Sequence, residues 1–110
     1  MKHTDRRYQK RIKAIMDPCI AVLKQTHLQD DLNLWYLTRS WCTANSRWVV
    51  LEVYWQDKDR LHWSVNLIEC YDMEDMLVIL ERISIIPKVL DLYADRHARA
   101  TSSYRNISVV

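Results

Sequence analysis

Glu52, Tyr54 and His62 are the residues whose types come nearest to general acid–base chemistry, because a partly buried carboxylate beside a phenol and an imidazole is the usual way to hold a transferable proton. Other catalytic pairings fail on distance. His62 and Cys70 lie on one strand pattern, but eight residues at about 3.3 Å each separate them by roughly 26 Å, far beyond the hydrogen-bond reach a thiol nucleophile needs. Metal binding has no better footing: four histidines and three cysteines (Cys19, Cys42, Cys70) include no Cys-x-x-Cys or His-x-x-x-His spacing. The residues point to no catalytic group, metal or cofactor.

The residues that could bind a partner or ligand are Tyr36, Trp48, Val50, Glu52, Tyr54, His62, Asn66 and Ile68, which strand alternation sorts onto one half-polar sheet face. Large aromatics mixed with a few hydrogen-bonding groups suit the centre of a protein interface or the lining of a small-molecule site. In the second case Glu52 among aromatic walls favours a cationic or aromatic ligand. A separate charge signal sits at the N-terminus. There Arg7, Lys10, Arg11 and Lys13 form the basic rim of an amphipathic helix that could meet phosphates or an acidic protein.

The elements that position these groups follow from periodicity. Tyr8, Ile12, Ile15, Met16, Cys19 and Leu23 recur at helical spacing, with Asp17-Pro18 predicting a kink or a restart. Three segments rich in tryptophan, tyrosine and valine follow: Leu32 to Trp41, Arg47 to Gln56 and Leu61 to Tyr71. Their short connections predict an antiparallel meander with three-residue loops centred on Asn45 and Lys58. Pairing Trp55 with Trp63, Val53 with Val65 and Leu51 with Leu67 makes one face almost wholly apolar. The same logic sets Trp35 beside Trp55, Leu37 beside Val53 and Trp41 beside Val49, leaving Arg39 as a misfit on that face.

Beyond the sheet, Asp72 is an N-cap for a helix whose stripe is Met73, Met76, Leu77, Leu80 and Ile83. Val78, Ile79, Ile85 and Ile86 fall off the stripe and argue for burial against a second subunit. Pro87 is expected to restart the helix, which then runs to about Ala100. The segment 101–110 and residues 1–4 are expected to be weakly ordered, although Ile107, Val109 and Val110 could add a short strand.

Composition closes off several classes. The chain has 110 residues, 49% apolar, enough for one domain and too few for two ordinary ones. It contains no glycine, which removes phosphate-cradling P-loops and dinucleotide-binding turns. No apolar run approaches the length of a membrane span, no secretory signal is visible, and an odd number of scattered cysteines fits a reducing compartment, so a cytoplasmic protein is expected.

The order helix, three-stranded meander, helix resembles the double-stranded-RNA-binding domain over roughly Met1 to Ile86, at the level of topology. That family's lysine cluster at the last helix is replaced here by Asp72, Glu74 and Asp75, which repel phosphate, and its Gly-Pro-x-His loop element is missing. No family is assigned on these motifs. The sequence therefore predicts a single α+β domain: an N-terminal helix, a three-stranded antiparallel meander, and one or two C-terminal helices packed on one sheet face. Its expected role is a non-enzymatic binding or regulatory protein, homodimeric through Trp48, Val50, Tyr54 and Ile68 or through the later helices. The alternatives are a small-ligand binder and a nucleic-acid-associated regulator.

Overall fold

A computed structural model describes residues 2–26, 32–45, 47–57, 59 and 62–96. Helix α1 (Lys2–Thr26) leads into strands β1 (Asn33–Cys42), β2 (Arg47–Gln56) and β3 (His62–Cys70), then helix α2 (Met73–Arg82). A third helix, α3, covers 85–96. The sheet is an antiparallel meander in the order β1-β2-β3, and the helices lie on one side of it, giving the expected α+β arrangement. Expectations for 27–31, Lys58 and 97–110, including the possible strand at Ile107, Val109 and Val110, fall outside the described residues.

The core forms where three apolar surfaces meet. From α1 come Ile12, Met16, Ile20 and Leu23; from β2 come Val49, Leu51, Val53 and Trp55; from α2 come Met73, Met76, Leu77 and Leu80. Each set repeats with the period of its own element, 3.6 for the helices and 2 for the strand, so each buries one face. Asp72 caps α2, its carboxylate accepting the Asp75 backbone N–H at 2.8 Å. Arg11 on α1 reaches Glu81 on α2 at 3.1 Å, an exposed pair that aligns the helices more than it stabilises them.

Two expected helix restarts are corrected. The helix α1 is continuous through Pro18, so no restart occurs at Asp17-Pro18. Proline has no N–H to donate to the Ala14 carbonyl, and because Pro18 is exposed, water can take that acceptor. The C-terminal break falls at Ile83–Ser84, three residues before the expected restart at Pro87. Ile83 is extended (ψ 156°) and Lys88 N–H bonds the Ser84 carbonyl at 3.2 Å, which places Pro87 in the first turn of α3, where a missing donor costs nothing. Ile85 then faces the core from α3 and needs no second subunit to bury it, while Ile79 and Ile86 are partly buried against the same core.

The register carries the larger correction. Trp55 faces Trp63 and Val53 faces Val65 as expected, but a bulge between Leu51 and Glu52 sets Leu51 opposite Ile68 instead of Leu67. One extra residue on β3 turns the strand over locally, so Ile68 and Cys70 join Leu67 in the core. On β1 the pairing is displaced by one residue from the expected one: Leu34 lies opposite Trp55, Tyr36 opposite Val53 and Trp41 opposite Trp48. A one-residue displacement exchanges the two faces. Leu34, Tyr36, Thr38 and Ser40 therefore look toward the helices, and Trp35, Leu37, Arg39 and Trp41 look away. The turns hold four residues (43–46) and five (57–61) between paired positions, not three each.

Arg39 explains the displacement. The expected register would turn it to the helix side opposite Leu51, a place only partly open to water where it would lose solvent without gaining Glu52. The observed one brings Arg39 to the open face, where its Nε lies 3.3 Å from Glu52 Oε1.

Candidate functional site

The sheet surface turned away from the helices is built by Trp35, Leu37, Arg39 and Trp41 of β1, Trp48, Val50, Glu52 and Tyr54 of β2, and His62, Ser64, Asn66 and Glu69 of β3. It is more apolar than the sequence implied, because the register of β1 delivers two further tryptophans to it. Trp35 stacks on Tyr54, with ring centroids 5.6 Å apart and planes 18° from parallel. Trp48 meets Tyr71 edge to face at 6.0 Å. Leu37, Trp41 and Tyr71 nonetheless stay 45%, 49% and 66% exposed. Large apolar groups collected this way on one open face make it the candidate contact surface of the described residues.

A polar set crosses the middle of this surface. The Glu52 carboxylate takes the Arg39 guanidinium on one oxygen and the Tyr54 hydroxyl on the other. The bond to Glu52, followed by burial, raises the Tyr54 pKa, since ionising the phenol would set two negative charges side by side. Both carboxylate oxygens of Glu52 are thus engaged within the sheet face. Asn66 donates to Glu69, three residues further along β3.

The sequence-selected residues divide accordingly. Trp48, Val50, Glu52, Tyr54, His62 and Asn66 share the outer face, with His62 exposed opposite Gln56, Ser64 opposite Tyr54 and Asn66 opposite Glu52. These pairings follow from the expected Trp55–Trp63 and Val53–Val65 register, which holds up to the bulge. Val50 is 2% exposed even on this face, between its register partners Arg39 and Glu69. Tyr36 and Ile68 are on the other side. Ile68 is in the core because of the bulge, and Tyr36 donates its hydroxyl to Asp17 of α1 at 2.6 Å. Burial first, and this bond second, push the Tyr36 pKa well above the ordinary tyrosine range.

Trp35, Leu37 and Trp41 are the contributors that sequence alternation assigned to the wrong face. The signal that finds them is Arg39, which cannot share an unpartnered core with them.

The basic residues Arg7, Lys10, Arg11 and Lys13 are all exposed on α1, with Arg11 committed to Glu81. Between α1 and β1 a cleft of about 50 Å³, lined by Gln9, Thr38 and Ser40 among others, is far smaller than the several hundred Å³ of a typical ligand site. Among the described residues no group of three histidine, cysteine or acidic side chains is placed to hold a metal ion, and no helix is long and apolar enough to cross a membrane. Cys19 and Cys70 carry free thiols whose pKa values burial raises. Comparison with models of protein families, with curated proteins and with solved structures finds no match.

Proposed function

We propose that this chain is a non-enzymatic binding protein that works as a homodimer, with the outer sheet surface as its contact region. One observation carries the reading: Leu37, Trp41 and Tyr71 remain about half exposed or more together on the sheet side that, among the described residues, no helix covers. Tryptophan and tyrosine supply much of the contact energy where proteins associate. A second copy is favoured as occupant because Arg39 and Glu52 sit side by side at the middle of the surface, a pair of opposite charges that a two-fold axis can set against the same pair of the partner.

A single-stranded nucleic acid would also stack on such aromatics, but it requires a positive groove. Here Arg39 is neutralised by Glu52, and Glu69 adds a further negative charge. The cationic-ligand alternative loses its anchor in the same way, since Glu52 already holds a cation.

Sedimentation equilibrium over a concentration series tests the reading. A wild-type dimer that weakens in Trp48→Ala and Trp41→Ala supports it. A wild type that stays monomeric throughout overturns it.

A further inference from the structure

The two edges of this sheet are not equivalent. At the β3 edge, the bulge at Leu51/Glu52 breaks the ladder and twists the strand, a device that discourages pairing with another chain. At the β1 edge, ten residues run from Asn33 to Cys42 in unbroken register with β2, without a proline, a lysine or a bulge. Among the described residues no other strand pairs with its outer side. A long, regular edge of this kind presents a row of backbone donors and acceptors to any strand that can match it. Two of the most exposed apolar side chains of the molecule, Leu37 and Trp41, are on this same strand.

Resting on the homodimer of the reading above but moving its contact from the open face to the strand edge, we propose that the second copy joins through β1 itself, antiparallel about a two-fold axis at Thr38, making one six-stranded sheet. The strand's own sequence selects this register. Centring on Thr38 sets Trp35 opposite Trp41 of the second copy, and Trp41 opposite Trp35, so both tryptophans of the strand gain an aromatic cross-strand partner. Leu37 comes to lie opposite Arg39, whose aliphatic stem can cover it while its guanidinium keeps Glu52. Centring on Arg39 instead opposes two guanidinium groups directly, and centring on Leu37 leaves Trp41 facing Asn33. On the helix side the Thr38 register pairs Tyr36 with Ser40 and Thr38 with itself. The two outer faces then join into one continuous aromatic surface with the helices all beneath it.

Cysteine cross-linking tests both the edge and the register. In a background with Cys19 and Cys42 replaced by serine, Thr38→Cys should close an intermolecular disulfide under mild oxidation. Directly opposed residues have Cα atoms about 4.5–5.5 Å apart, inside the disulfide range of about 4.4–6.8 Å. Ser40→Cys should not, because its own copy is displaced along the strand by four residues, about 14 Å. Since Thr38 points to the helix side, two copies stacked by their outer faces cannot make its disulfide.

A second variant, Trp41→Lys, adds a charge at an exposed edge position without touching the core, and should weaken the dimer at least about tenfold while leaving the circular dichroism unchanged. A wild-type dimer in which Thr38→Cys fails to cross-link, or in which Ser40→Cys cross-links instead, overturns the edge pairing and leaves the homodimer reading standing. A monomeric wild type overturns both.

Discussion

Arg39 and Glu52 meet diagonally across β1 and β2 at 3.3 Å, the arginine side chain 59% exposed and the glutamate 14%. This pair is where the orientation of a whole strand becomes visible, because Arg39 reaches Glu52 only with β1 turned this way. Arg39→Ala should lower stability by about 1 kcal/mol, and a double-mutant cycle with Glu52→Gln should give a coupling of about 0.5–1 kcal/mol. Urea unfolding measures both. Zero coupling would mean the contact has no part in holding the register.

Tyr36 ties β1 to α1 through Asp17, so Tyr36→Phe should cost about 1 kcal/mol near neutral pH, discounted for the exposure of the carboxylate. The sign of the alkaline dependence follows from the raised phenol pKa. The folded protein holds this proton more tightly than the unfolded chain does, so its contribution is complete below the ordinary value of about 10 and falls away as pH rises beyond it. Melting temperatures between about pH 9 and pH 11 should therefore drop more steeply for the wild type than for Tyr36→Phe. Parallel curves would contradict the assignment.

Pro18 occupies the interior of α1, where proline ordinarily costs about 3 kcal/mol against alanine. Pro18→Ala restores a donor for the Ala14 carbonyl but loses the stiffness proline lends the unfolded chain, so a net gain of roughly 1–2 kcal/mol is expected. Chemical denaturation checks it. A loss instead would show that the local geometry at Pro18 is what brings Asp17 within reach of Tyr36.

Met16 is fully buried where α1 packs into the core, and Met16→Ala should cost about 2–5 kcal/mol. Lys13→Ala, on the exposed side of the same helix, should stay within about 0.5 kcal/mol. Similar losses for the two would contradict the observed facing of α1.

Several features of the molecule are local and were legible in the chain itself. The stripe of α1, the three strand segments, the Asp72 cap and the burial of Val49, Leu51, Val53 and Trp55 all follow from periodicity, since each element must bury its own apolar side. Half of the outer surface, with Trp48, Glu52 and Tyr54, follows from the same alternation on β2. What alternation cannot supply is the pairing of one strand with another. On β1 both sides offer plausible core residues, Leu34 and Tyr36 against Trp35 and Leu37, and hydrophobicity alone chooses the bulkier set. The tertiary structure decides otherwise because Arg39 finds its carboxylate only on the open face, while Tyr36 finds Asp17 only beneath the helix. The bulge that sends Ile68 and Cys70 inward is likewise a matter of fitting β3 against two neighbours at once, a constraint that no single segment contains.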